Sequence, residues 1–533
     1  MLLLQRMISG RKMGGFFFLR SLLCSETWSR ALCSSSSSNE VKLLLNQFVD
    51  VAHALPVKGS NVEILRTPKD FFDTMMKGIG RARTRLTIAS LYIGTGGGCS
   101  SQIMNALGEA ANDWKNRPDL KLTVLLDGSR GTRRSLDRDG LPTSSAEQLG
   151  KAMLNTDNAE SRTRISLYQT PALQGLLKKV LPPRVREVVS VCHLKVYLFD
   201  DDVILTGANL SNNYFTIRQD RYMVLKESKA VADKLDALVQ TMSDFSLGLG
   251  RSGYLLNPPA NVHPIKQPLK FRDQLWKKIT ALFYPANSAL FNWWIPARPA
   301  VGGRKPDTNS LDIGADDADT WVIPVVQFAH FHIRQDEICT LRCLGAAEPG
   351  GRIQLASAYL NLASPFQRAL VRSPNVNLEI LTASPQANGF FGAKGISGFF
   401  PTAYSLVMAQ LWKKLCSRKN LHFHPSIERQ ILEYHRDKWQ FHAKGIWYTP
   451  PNETHPILTA VGSPNFGHRS VYRDIEAQAI MVTSNPELRK KLYHEVHDLT
   501  KECVPVQEEK LVELQRNTGS TLKLALKLVR GFL

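Results

Sequence analysis

Short apolar runs and helical spacings alternate along this chain in an order that occurs twice. LTIASLYIG (Leu86 to Gly94) is an apolar run ended by glycine and predicts a buried strand, while Leu43 to Val57, Thr67 to Arg81 and Ile103 to Trp114 carry helical spacing. LKLTVLLD then predicts a second strand, CHLKVYLFDDDVILTGAN a strand and turn, and Lys229 to Phe245 a closing helix. The series returns: ASLY at Ala89 to Tyr92 as ASAY at Ala356 to Tyr359, LTVLLD from Leu122 as LEILTA from Leu378, and HLK at His193 as HAK at His442. A second closing helix is expected over Pro486 to Lys501, where Asn485 and Pro486 suit the N-cap and first helical positions. Duplication of this kind predicts two similar α/β lobes, each a mixed sheet flanked by helices, meeting at a cleft.

The repeated stretches carry the chemistry. Residues two apart on a strand face the same side, so His193 with Lys195, and His442 with Lys444, project together. An imidazole can attack phosphorus while an ammonium neutralises a non-bridging oxygen, a pairing that calls for no metal and no cofactor. Gly207-Ala208-Asn209 and Gly462-Ser463-Pro464-Asn465 follow, making Asn209, Asn465 and Ser463 candidate phosphate contacts. Asp220 and Glu476 each stand eleven residues beyond their asparagine, where a carboxylate could fix the tautomer of a catalytic histidine. A lone HxK strand is more often structural; two with matching downstream carboxylates are not explained that way.

Two other stretches are candidates with bland alternatives. GTGGG after the first strand could bring backbone N–H groups to a nucleotide along Ala89, Ser90, Leu91, Tyr92, Ile93, Gly94, Thr95 and Gly96, although it lacks the Lys and Ser/Thr spacing of a P-loop and a tight turn explains it better. Arg130, Arg133 and Arg134 could bind an acceptor phosphate, or form a solvated loop.

HLKVYLFD with GAN, and HAKGIWY with GSPN, resemble the two HKD motifs of the phospholipase D superfamily. NGFFGAKG (Asn388 to Gly395), GSPNFGHRS and RDIEAQ narrow the resemblance to the mitochondrial phosphatidylglycerophosphate synthases, over roughly residues 45 to 500. The resemblance implies two phospholipase D-like lobes with the active site between them, and catalytic roles for His193, Lys195, Asp200, His442 and Lys444. It also implies CDP-diacylglycerol as donor, sn-glycerol 3-phosphate as acceptor and a phosphatidyl-histidine intermediate, with His193 as nucleophile and His442 as acid and base. Thr449 departs from the pattern by standing where the second HKD aspartate would be, and GAN is one residue shorter than GSPN. Two rivals stay open: a phosphodiesterase acting on lipid or nucleic acid, and a non-catalytic lipid-binding scaffold.

Composition adds the setting. The chain has 533 residues, is 43% hydrophobic and carries a formal net charge of +20, which favours an anionic partner. An anionic membrane surface is expected and nucleic acid is not, because the apolar ALFNWWIPARP and the basic amphipathic TLKLALKLVRGFL favour lipid. Residues 1–38 hold Arg6, Arg11, Lys12, Arg20 and Arg30 against Glu26 alone and read as a mitochondrial presequence, placing the protein peripherally on the inner membrane. The 8 cysteines are scattered and read as free thiols. The expected division is 39–250 for the first lobe, 251–320 for a connection, 321–505 for the second lobe and 506–533 for a basic tail.

Overall fold

The computed structural model describes residues 36–173, 187, 189–251, 253–286, 288, 318–373, 375–393, 398–416, 426–507, 509 and 511–513. The expected presequence, all but its last residues, the tryptophans at 293 and 294, and the tail from 521 lie outside them.

Two large sheets dominate, and eight strands of the second repeat eight of the first in order. The nine-stranded sheet runs Leu255–Leu256, Leu247–Leu249, Thr163–Tyr168, Lys121–Asp127, Arg85–Ser90, Val196–Phe199, Asp202–Thr206, Tyr222–Leu225, Val62–Leu65. In the ten-stranded sheet Cys503–Pro505, Arg429–Tyr434, Asn377–Ala383, Arg352–Ser357, Lys444–Thr449, Leu458–Gly462, Ile475–Thr483 and Thr320–Phe328 take the equivalent places in the same order. Both are mixed: Arg85–Ser90 is parallel to Lys121–Asp127 and antiparallel to the HxK strand Val196–Phe199, and Arg352–Ser357 stands likewise between Asn377–Ala383 and Lys444–Thr449.

Alternation along the strands separates two cores. Val196 and Leu198 join the larger core, with the helices Lys229–Asp244 and Pro268–Phe283 and with Val322, Val325 and Val326 of the second sheet. Tyr197 and Phe199 turn the other way, under the helices Pro68–Arg81 and Cys99–Asn112. Pro68–Arg81 forms where its local chemistry dictates: Thr67 Oγ1 accepts the N–H of Asp70 at 3.1 Å, Asp70 Oδ2 accepts the N–H of Thr67 at 3.0 Å, and Phe71, Met75 and Ile79 recur four apart on its buried face. The helix Pro486–Lys501 likewise starts on Asn485, whose Oδ1 accepts the N–H of Leu488 at 2.8 Å.

Three expectations are corrected. The first helix is Ser36–Asn46, and Leu55–Val57 is a strand, because Pro56 cannot donate within a helix. That strand is an edge of the second sheet, pairing with Thr320–Phe328, although it falls within the stretch expected to form the first lobe. Each lobe also has a strand before the HxK strand, Thr163–Tyr168 and Arg429–Tyr434, that the apolar pattern did not separate from its surroundings. Both sheets lie within the single unit Val41–Leu533. Among the described residues no helix is long and apolar enough to cross a membrane.

Candidate active site

The two lobes exchange backbone hydrogen bonds at the residues that carry the chemistry. Arg218–Gln219 pairs in parallel with Gln440–Phe441, and Cys192 bridges to Ile475 in the same sense. The N–H of His442 donates to Gln219 O at 2.7 Å, and that of His193 donates to Ile475 O at 2.8 Å. Each histidine is therefore docked beside the strand that bears the other half's carboxylate.

The side chains follow that crossing. His193 Nδ1–H donates to Glu476 Oε2 at 2.8 Å, and His442 Nδ1–H donates to Asp220 Oδ2 at 2.6 Å. Both carboxylates orient the ring of the opposite lobe, which leaves each Nε2 for chemistry. Ser463 holds Glu476 from behind, donating Oγ–H to its carboxylate while accepting the N–H of Ala477 at 3.1 Å. The Ser463 hydroxyl, expected at the phosphate, is here hydrogen-bonded to the Glu476 carboxylate.

The lysines are buried with them. Lys195 Nζ donates to His193 O at 2.7 Å, and Lys444 Nζ lies over the His442 ring, 2.7 Å from Nδ1 and 3.2 Å from Nε2. Gly207 makes room for this: a Cβ there would come within 2.5 Å of Lys444 Cδ and 3.0 Å of Gly462 O. The shorter GAN turn thus passes the lysine of the opposite lobe. Burial pulls the Lys195 ammonium down to about 7 and the Lys444 ammonium down to about 8.

Burial also pulls both imidazoles below their ordinary value, most strongly at His442, where the cations of Lys444 and Arg218 add to it. The same burial raises the Asp220 carboxyl to about 6, whereas His193, Lys195 and the Ser463 hydroxyl hold Glu476 below the usual range despite its burial. The two sides differ in access. The His193 side chain keeps 14% of its surface and its Nε2 has no protein partner among the described residues. At His442 the exposure is 4%, and the Tyr214 hydroxyl stands 3.1 Å from Nε2.

Asn209 and Asn465 close the site. Asn209 Nδ2 donates to the Tyr214 hydroxyl at 3.1 Å, and the buried side-chain oxygens of both asparagines have no hydrogen-bond partner among the described residues. An amide so placed can turn a donor toward a phosphate oxygen. Tyr214 escaped the sequence reading because its equivalent in the second half is Ser470, so no repeat marked it.

The remaining candidates lie elsewhere. Asp200 sits at the hairpin turn roughly 20 Å along the strand from His193. Its carboxylate there accepts the N–H groups of Arg83 (2.9 Å), Thr84 (2.7 Å) and Arg85 (3.1 Å). It pins strand ends together and does not join the reacting groups, a correction that explains the second half's tolerance of Thr449, at the end of Lys444–Thr449. Of the segment Ala89 to Gly96, Gly94 N donates to Leu210 O at 2.8 Å and Ile93 bridges to Leu210, so it braces the turn that carries Asn209. Arg133 pairs with Glu187 at 2.7 Å and the exposed Arg134 with Glu147 at 2.9 Å, while Arg130 stacks 4.0 Å over the ring of Tyr92.

Known proteins share this architecture. No protein-family model matches the chain. A solved phosphatidylserine synthase from Haemophilus influenzae superposes with a TM-score of 0.61 over 94% of this chain and 100% of its own, at 16% identity. That likeness is one of fold. In sequence the chain is 36% identical over 485 residues to a probable CDP-diacylglycerol–glycerol-3-phosphate 3-phosphatidyltransferase of Dictyostelium discoideum, covering 88% of this chain and 78% of that protein. It is 35% identical over 498 residues to the mitochondrial enzyme of that name from Homo sapiens, covering 89% and 84%, and 30% identical over 487 residues to the one from Saccharomyces cerevisiae, covering 88% and 87%. With two matched lobes, crossed histidine–carboxylate pairs and this similarity along most of its length, the chain belongs to the CDP-diacylglycerol–glycerol-3-phosphate 3-phosphatidyltransferase family.

Proposed function

We propose that the protein transfers a phosphatidyl group from CDP-diacylglycerol to sn-glycerol 3-phosphate, giving phosphatidylglycerophosphate and CMP. The crossed pairs carry this reading: each imidazole is held by a carboxylate of the other lobe and has a buried lysine beside it. His193 is the nucleophile, because its Nε2 is the accessible one.

In the first half-reaction a bond forms between His193 Nε2 and the lipid-bearing phosphorus as the bond from that phosphorus to the CMP oxygen breaks. Lys195, Lys444 and the two asparagines stabilise the charge on the non-bridging oxygens. His442 gives its proton to the departing CMP. In the second half-reaction the acceptor hydroxyl attacks the same phosphorus, His442 takes its proton, and the bond to His193 breaks.

To act as the acid of the first half-reaction His442 must hold a proton, yet burial, Lys444, Arg218 and Lys195 all drive the proton off. A bound diphosphate brings the negative charge that opposes those cations, so its arrival raises the affinity of His442 for a proton. Binding of CDP-diacylglycerol to a His193→Ala variant near neutral pH is therefore expected to take up protons, read as calorimetric heats that vary with the ionisation enthalpy of the buffer. Buffer-independent heats would remove His442 as the acid.

The activity itself is tested with the protein lacking residues 1–38, CDP-diacylglycerol in mixed micelles and labelled glycerol 3-phosphate. Equimolar CMP and labelled lipid are expected; CMP with phosphatidate and no labelled lipid would make the protein a hydrolase. The net charge of +20 fits peripheral attachment to an anionic surface, which we assign to the mitochondrial inner membrane in keeping with the mitochondrial relatives.

A further inference from the structure

We propose that Arg218, stacked on Tyr214 on the His442 side of the cleft, anchors a second phosphate site that receives a phosphate monoester beside the reacting phosphorus. This rests on the phosphatidyl-transfer reading above and deepens it.

The duplication itself isolates the residue. Arg218 and Asp474 stand at equivalent positions, each nine residues beyond the turn asparagine, and Tyr214 and Ser470 each five beyond it. The second half puts an anion where the first puts a cation. Asp474 is accounted for by structure: its carboxylate pairs with Arg469 at 3.0 Å and accepts the N–H of Val191 at 3.1 Å. Neither the fold nor the shared histidine chemistry requires Arg218, since the other half does without it.

Its surroundings point to an anion. The guanidinium carbon lies 4.4 Å from the centre of the Tyr214 ring, and Nε donates to Gln440 Oε1 at 2.7 Å. No carboxylate of the described residues lies within ion-pair distance of it. The neighbours that bear on its charge are the hydroxyls of Tyr214, Tyr359 and Tyr92. Arg221, three residues on, is the contrast: its guanidinium nitrogens donate to Glu495, Ala460 O and Thr459. The Arg218 side chain is half-buried, its charge has no carboxylate beside it among the described residues, and its planar fork matches two oxygens of a phosphate.

Gly389 sits against both groups: a Cβ there would come within 2.7 Å of the Tyr359 hydroxyl and 3.5 Å of Arg218 Nη2, which places that hydroxyl near the guanidinium. Arg130, 4.0 Å over Tyr92 and without a carboxylate partner among the described residues, supplies a second cation near the same tyrosine. Lys195 and Lys444 belong to the reacting phosphorus, whereas Arg218 reaches a phosphate further along the group handled by His442. Two groups present one there in turn: the CMP that the first half-reaction releases from the diphosphate, and the acceptor that follows it.

Steady-state kinetics of Arg218→Gln and Arg218→Lys, with glycerol 3-phosphate, with glycerol as phosphate-free acceptor, and with varied CDP-diacylglycerol, test the site. A guanidinium held to a dianion predicts that Arg218→Gln lowers the ratio of kcat/KM for glycerol 3-phosphate over glycerol on the order of 100-fold. Arg218→Lys, which keeps the charge and loses the fork, should lower it about tenfold and carries the test alone should Arg218→Gln not fold. An unchanged ratio with a raised KM for CDP-diacylglycerol assigns the site to the nucleotide phosphate. A fall in kcat with both KM values and the ratio unchanged would overturn the site and leave Arg218 a support for Tyr214. Wild-type protein that makes no labelled lipid from glycerol 3-phosphate would instead remove the transfer reading.

Discussion

His442→Ala is expected to release one equivalent of CMP per active site and then stall, whereas His193→Ala releases none. In the proposed mechanism the nucleophile of the first step is His193 Nε2, and the His193 side chain keeps 14% of its surface against 4% at His442. Its loss should lower turnover by about five orders of magnitude, as for other covalent catalysts. The leaving group in that step is a phosphate monoester with a second pKa near ~6, so it departs with little need of an acid. The acceptor is an alcohol and cannot attack efficiently without a base, so loss of His442 falls mainly on the second step, by about 10²- to 10⁴-fold. Asp220 then keeps Lys444 as a counter-ion at 3.9 Å, so the variant is not left with an unpaired buried carboxylate. Rapid-quench measurement of CMP, with label from the lipid retained on denatured protein, reads both steps. A burst from His193→Ala and none from His442→Ala would exchange the roles, and absence of labelled protein in both would discard the covalent step.

Arg221→Met should destabilise the protein by about 3–5 kcal/mol, the cost typical of stranding a buried charge. Arg221 leaves the first sheet just before Tyr222–Leu225 and enters the second lobe fully buried. There it donates to Glu495 Oε1 and Oε2 at 2.9 and 2.8 Å, to Ala460 O at 2.7 Å and to Thr459 Oγ1 at 2.9 Å, and stacks 3.8 Å over Trp447. Its backbone N–H donates to Asp220 Oδ1 at 2.8 Å, so the same residue steadies the partner of His442. Gly445 admits it, since a Cβ there would collide with the guanidinium and with Ala460 O. Urea denaturation measures the loss. Replacing both partners, as Arg221→Met with Glu495→Gln, should recover a large part of it, because no buried ion is then left alone. Equal losses in the single and double variants would show that the packing on Trp447, and not the charge pair, joins the lobes there.

Much of this protein was legible in the order of its residues. The duplication, the two HxK strands, the asparagine turns and the two carboxylates are local patterns, and strand periodicity alone places each histidine beside its lysine on one face. Helix boundaries at Thr67 and Asn485 followed from capping chemistry within four residues. Where short-range rules competed, the outcome depended on contacts far away: Leu55–Val57 became a strand because the second sheet offers it an edge at Thr320–Phe328.

What the sequence by itself determined, then, is which groups do chemistry: imidazole, ammonium, amide and carboxylate in two matched sets. Only the tertiary structure decided who serves whom. Glu476 reaches His193 across 283 positions and Asp220 reaches His442 across 222, through parallel strand pairing between lobes that leaves no local trace. The same pairing commits the Ser463 hydroxyl to Glu476, sends Asp200 to the far end of its strand, and buries Arg221 in an ion pair while Arg218 meets no carboxylate among the described residues. A side chain's type is written in the chain; its partner is set by which backbone lies opposite, and that is fixed only when the lobes dock.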